Sequence, residues 1–150
     1  MLLKTKNMWD DYDKADLFLI TTNSFIKKNG ELVMGRGIAK EAKDRFPQLP
    51  VYAGKIIKEK CGHLGVYGFY VSRHWPLTKI GLFQTKRHWR DNASIDLIKM
   101  SLTGLDFWLI GREDKIVCLN FPGIGNGGLE RDQVLALLEF LPDNVKVYER

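Results

Sequence analysis

Residues 15–22 of the chain, Ala-Asp-Leu-Phe-Leu-Ile-Thr-Thr, form a near-continuous apolar run of strand length. Such a run predicts a strand covered on both faces, because a strand with one wet face would alternate. Asn23 ends it. The composition of 38–46 predicts a helix that Pro47 stops, since the residue before a proline is pushed out of helical geometry. A second helix is expected over 51–60. Residues 64–72 and 77–84 are rich in β-branched and aromatic side chains and read as hairpin neighbours, with His74-Trp75-Pro76 as the turn. Over 94–110, Ile95, Ile98, Leu102, Leu105 and Leu109 recur at helical spacing and mark an amphipathic helix packed on a sheet. A short buried strand at 115–120, a helix at 133–141 ended by Pro142, and a strand at 145–148 complete the pattern. Strands alternating with helices, with one hairpin step, predict an α/β fold: a mixed central sheet between helical layers, with ligand loops at the strands' carboxyl ends.

Two glycine-rich segments punctuate this pattern. One is Val33-Met34-Gly35-Arg36-Gly37-Ile38-Ala39, the other Pro122-Gly123-Ile124-Gly125-Asn126-Gly127-Gly128-Leu129, and each follows a β-like run and leads into a helical stretch. Glycines let the backbone approach a phosphate, and the N–H groups of a helix start point at it. Two such loops suggest a diphosphate. Neither matches the nucleoside-triphosphate P-loop, and no G-x-G-x-x-G opens the first β-α unit with an acidic residue about twenty positions on. Kinase-type and dinucleotide-dehydrogenase chemistry are thereby disfavoured.

At 150 residues, one domain over 1–150 is expected, burying roughly 68 to 70% of its unfolded surface. Cys61 and Cys118 form no C-x-x-C pair, and Cys118 sits in the apolar run Ile116-Val117-Cys118-Leu119, where a buried thiol is expected. The apolar part of Met1-Leu2-Leu3-Lys4-Thr5-Lys6 is too short for a signal peptide, and no apolar run reaches the eighteen or so residues of a membrane span. A cytosolic protein without a membrane partner is expected. The net charge of +5 suits an anionic ligand without requiring nucleic acid. His63, His74 and His88 have no metal-ligand spacing with one another or with the cysteines, so no metal is expected.

Leu19-Ile20-Thr21-Thr22-Asn23, the first glycine segment through Lys40, and Gly123 to Leu129 together resemble the macro domain, a three-layer α/β/α sandwich. Within that family, Phe83-Gln84-Thr85-Lys86-Arg87-His88-Trp89-Arg90 is similar to the Pro-Thr-Lys-x-x-Trp-Arg segment of the bacterial DNA ADP-ribosyl glycohydrolase antitoxins. Their branch also holds the terminal ADP-ribose protein glycohydrolases. The resemblance implies ADP-ribose, free or on a macromolecule, as ligand, with no cofactor and with the diphosphate between the two glycine loops. It places Asn7 and Met8 at the adenine, although many members have Asp where this chain has Asn7. It places Asn23 at the distal ribose and counts Thr85 among the ligand-binding residues.

Lys86 is the catalytic residue that the resemblance implies, either attacking the anomeric carbon of the distal ribose or stabilising charge as its bond breaks. A protonated lysine is a poor nucleophile, so attack demands a lowered pKa, for which burial beside Arg87 or Arg90, or loss of solvent when ligand enters, is the expected cause. The protein-directed members carry an aspartate where this chain has Gly127. Glu130 is the nearest substitute, although a helix start predicts a capping role for it. An additional segment, residues 25–31, carries the Asn29-Gly30 hairpin signal and is expected either beside the distal ribose, where it would shape which leaving group is accepted, or as a plain surface hairpin. His88, Trp89 and Trp75 are candidates for stacking on a base or on the adenine. Three readings remain open: an ADP-ribosyl hydrolase acting on modified DNA or protein, a non-catalytic module that binds ADP-ribose or another NAD metabolite, and an ADP-ribose 1″-phosphate phosphatase.

Overall fold

The structure, a computed structural model, describes residues 1–71 and 79–149. Six strands, β1 (Leu2–Lys4), β2 (Leu17–Thr22), β3 (Phe69–Val71), β4 (Ile80–Gln84), β5 (Val117–Asn120) and β6 (Val145–Tyr148), form one sheet in the order β1-β6-β5-β2-β4-β3. All neighbours are parallel except β3, which runs antiparallel to β4. The mixed sheet expected from the sequence is therefore present.

The helices are α1 (Gly37–Arg45), α2 (Leu49–Cys61), α3 (Ile95–Leu109) and α4 (Arg131–Leu138). Odd and even positions of β2 explain why its run is apolar throughout. Phe18 and Ile20 face a core made with Ala42 of α1 and Ala53 and Ile57 of α2. Leu17 and Leu19 face a second core made with Ile98 and Leu105 of α3 and Val134 and Leu138 of α4. Both faces are covered, as in a sheet wound on two sides. Ser94 caps α3 by accepting a hydrogen bond from the N–H of Leu97, so the expected helix begins one residue inside its predicted bound.

Three elements were not predicted, one of them a single 3-10 turn over Gly125–Gly127 within the second glycine segment. The edge strand β1 pairs Leu2, Leu3 and Lys4 with Lys146, Val147 and Tyr148, and a 3-10 helix over Met8–Lys14 starts where Asn7 Oδ1 accepts from the N–H of Trp9. The strand expected over 64–72 is shortened the most. Of 64–72, only Phe69–Val71 pairs with β4, because the backbone before it is held by a side chain instead of a ladder. Gln84 Oε1 accepts from the N–H groups of Tyr67 and Gly68, and its Nε2 donates to the carbonyl of Gly65. The expected turn His74-Trp75-Pro76 lies outside the described residues.

The segment after β2 forms a tight turn, with a bridge between Ile26 and Leu32 and a hydrogen bond from the Gly30 N–H to the carbonyl of Lys27. It lies against α2, where a Cβ on Gly54 would stand 2.0 Å from the carbonyl oxygen of Gly30. The helix can approach the turn only because position 54 has no side chain.

Candidate functional site

The site follows from the topology. β2 and β5 are adjacent and parallel, but the chain leaves β2 for α1 on one face and leaves β5 for α4 on the other. Diverging connections open a crevice at the carboxyl ends of the two strands. It is a cavity of about 830 Å³, with the first glycine segment on one wall and the second on the other.

Gly35, Arg36, Gly37, Ile38 and Ala39 reach the cavity from the first loop and the start of α1. Arg36 occupies the cap position of α1 without a side-chain capping bond, and the first turn carries no acidic residue. The helix start therefore presents its N–H groups and positive dipole end without a competing carboxylate. Gly123, Ile124, Asn126 and Gly127 reach the cavity from the second loop. Gly125 faces a smaller adjoining cavity of about 470 Å³, which shares Gly37, Ile38 and Ile124 with the first. Gly37 and Gly125 have φ of +55° and +64°, and a Cβ on either would meet nothing within 4 Å. At both, glycine is required by the left-handed backbone and leaves the space beside the loop open.

Other expected ligand residues do not line the large cavity. Met34 is buried in the α1/α2 core, and Leu129 packs in the α3/α4 core, where its Cδ1 would stand 2.8 Å from a Cβ on Gly123. Gly128 takes a left-handed conformation that closes the loop, donating its N–H to the carbonyl of Gly125. Pro122 precedes the loop in the buried layer. Met8 lines the smaller cavity, whereas the side chain of Asn7 caps the 3-10 helix.

Asn23 lines the large cavity and is 8% exposed. Its Oδ1 accepts from the Phe25 N–H at 2.9 Å and its Nδ2 donates to the Val33 carbonyl at 3.1 Å. One amide thus ties the strand end to both ends of the 25–33 segment and still has one N–H and one lone pair to offer. Beneath it, the hydroxyls of Tyr67 and Thr22 are in contact, and Tyr67 also donates to the carbonyl of Asn23. Thr85, 5% exposed, donates its N–H to the carbonyl of Thr22 and lines the cavity next to Lys86.

Lys86 points its Nζ toward the carbonyl of Trp89 at 3.3 Å. Burial holds its ammonium below the ordinary lysine value, the charge of Arg36 adds to this, and Asp91 opposes it. The direction agrees with the sequence expectation, but the cation responsible is Arg36 on the opposite loop and not Arg87 or Arg90. The backbone of Arg87 is held from behind, its carbonyl accepting from the N–H and hydroxyl of Ser24. Glu130 takes the cap position of α4 without making a side-chain capping bond and is not among the cavity walls.

Sequence reasoning missed several walls. Asn120 ends β5 as Asn23 ends β2, and it clamps the two strands by accepting from the Thr21 N–H and donating to the Thr21 hydroxyl. A polar residue closing an apolar run was the available signal. Asn92 and Asp91 also line the cavity, and Asp91 is its only carboxylate among the described residues. No group of His, Cys, Asp and Glu suited to a metal occurs among the described residues, and no helix there is long and apolar enough to cross a membrane.

No family model matches the sequence. The chain is 30% identical over 142 residues to the DNA ADP-ribosyl glycohydrolase of Mycobacterium tuberculosis, a match that spans 88% of this chain and 39% of that protein. It therefore corresponds to well under half of that relative. Among solved structures, the macrodomain of Mycobacterium tuberculosis DarG superposes with a TM-score of 0.69 at 26% identity, covering 99% of this chain and 98% of the other. Thermosipho africanus DarTG in complex with ADP-ribose superposes with a TM-score of 0.74 at 24% identity, covering 99% of this chain and 41% of the other.

Proposed function

Because the chain is a macro domain of the DarG type, we propose that residues 1–150 act as one ADP-ribose-binding unit that removes ADP-ribose from modified DNA. One observation carries the reading: both glycine loops, Asn23 and Lys86 converge on a single cavity. The diphosphate lies between the loops at the start of α1. The adenine lies toward the smaller cavity at Met8, and the distal ribose toward Asn23, Thr85 and Lys86. Two buried free cysteines accord with a reducing, cytosolic setting.

Lys86 acts as the nucleophile in this reading. Its lowered pKa increases the share of neutral amine, the form that can attack. Attack of Nζ on the anomeric carbon forms a C–N bond while the bond to the macromolecule breaks, its electron pair leaving with the departing atom, which takes up a proton. Water then displaces the amine, giving ADP-ribose and restoring Lys86. Asp91, the one carboxylate among the described residues that line the cavity, accepts the proton of that water.

The test is Lys86→Ala assayed on ADP-ribosylated DNA, ADP-ribosylated protein and ADP-ribose 1″-phosphate, with ADP-ribose affinity measured by calorimetry. Release from DNA should fall by about 10² to 10⁴-fold while affinity is retained. Unchanged turnover excludes the lysine mechanism. A wild-type protein that binds ADP-ribose but releases nothing from any substrate is a binding module.

A further inference from the structure

The cavity does not end at Lys86. Beyond it, Phe25 and Lys27 of the additional turn and Trp89 and Arg90 of the segment after β4 form an outer rim. The aromatic groups make a continuous ladder. The Phe25 ring meets His88 edge-on at 4.5 Å, His88 stacks on Trp89 at 5.4 Å, and the Arg90 guanidinium lies over Trp89 at 4.7 Å. His88 is fixed within the ladder because its Nδ1 accepts from the N–H of Arg90.

Trp89 is nevertheless 41% exposed, a large surface for an indole that supports no core. Among the described residues, four cationic side chains line the cavity against one carboxylate. Exposed aromatic surface interleaved with cations is the chemistry of single-stranded nucleic-acid sites, where bases stack on aromatic or guanidinium planes and phosphates pair with lysine or arginine. A protein substrate would give such a ladder no regular planar group to meet.

We infer that this rim is a subsite for the strand that bears the ADP-ribose: an unpaired nucleobase stacks on Trp89, and its flanking phosphate pairs with Lys27. The base takes the place of the Arg90 guanidinium, which follows it onto the outer face of the stack. The inference rests on the reading of the inner cavity as the ADP-ribose site. It makes the additional turn, through Phe25 and Lys27, part of the choice of substrate.

Binding separates this inference from that reading, because it requires no turnover. The affinity of a single-stranded DNA oligonucleotide carrying one ADP-ribose is compared with that of free ADP-ribose, in the wild type, Trp89→Ala, Trp89→Phe and Lys27→Ala. The wild type should prefer the oligonucleotide. Trp89→Ala should lose roughly 5- to 150-fold in affinity for it, the range given by one stacked base, while affinity for free ADP-ribose stays within about twofold. Trp89→Phe should recover most of the loss. Lys27→Ala should lower the salt dependence of oligonucleotide binding by about one phosphate contact. Equal loss for both ligands, or no loss for the oligonucleotide, overturns the subsite. A wild type that binds neither ligand instead overturns the ADP-ribose reading, and an ADP-ribosylated peptide that loses affinity as the oligonucleotide does would make the rim a general one.

Discussion

Asn23→Ala isolates the double role of one amide. The wild-type side chain accepts from the Phe25 N–H at 2.9 Å and donates to the Val33 carbonyl at 3.1 Å, at a position only 8% exposed. Alanine removes both partners and leaves a backbone donor and a backbone acceptor without them. An orphaned group of this kind costs about 1 to 3 kcal/mol when buried. Both bonds are partly buried, so the lower end applies and the sum is about 2 kcal/mol. For a chain of this size each kcal/mol moves the melting temperature by about 2 to 4 °C, so the expected fall is about 4 to 8 °C by thermal denaturation. Ligand binding should fall further than stability alone explains, because the remaining N–H and lone pair are the ones available to a ribose. Calorimetry should show affinity for ADP-ribose reduced by about tenfold, the equivalent of one hydrogen bond of 1.4 kcal/mol. A melting temperature within about 1 °C of the wild type would show that the amide does not hold the 25–33 segment, and unaltered affinity would remove Asn23 from the ligand.

Two further outcomes follow from contacts across the site. Arg36→Ala removes a positive charge that lowers the Lys86 pKa; the ammonium then holds its proton to higher pH, and the rise of hydrolysis with pH should move upward. A rate that instead falls as pH rises would make Lys86 a charge stabiliser, and an unmoved profile would show that burial alone sets its pKa. Gly54→Ala places a Cβ 2.0 Å from the Gly30 carbonyl oxygen and 3.0 Å from the Leu32 nitrogen. Overpacking of this kind costs about 1 to 3 kcal/mol, offset in part by helix propensity, and should appear as a lower denaturant midpoint; an unchanged midpoint would mean that the turn yields freely.

Much of this architecture was legible because its strands are buried on both faces. Residues 15–22 and 145–148 could be read from apolar content alone, and the stripe from Ile95 to Leu109 from its spacing. β1 was not legible: three residues with half-exposed side chains have no period, and their conformation comes from pairing with β6. Nor was the shortened β3, since the apolar and aromatic content of 64–72 is that of a strand and only the fold brings Gln84 across to occupy the backbone groups of Tyr67 and Gly68. The glycine loops were readable as loops, yet which glycines leave open space beside the backbone depends on the turn: Gly37 borders open space, whereas a Cβ on Gly123 would abut Ile98 and Leu129. The influence of Arg36 on Lys86 joins residues fifty positions apart in the chain, and no local pattern announces it.

The contact between α2 and the additional turn constrains the order in which such a chain can change. While the turn is present, a side chain at position 54 collides with it, so no descendant gains one there without damage. A descendant that first deletes the turn is released from this demand, and any residue acquired at 54 afterwards would block the turn's return. Shortening the segment is thus a step that closes behind itself once position 54 has changed, and related chains that keep the turn should keep glycine there.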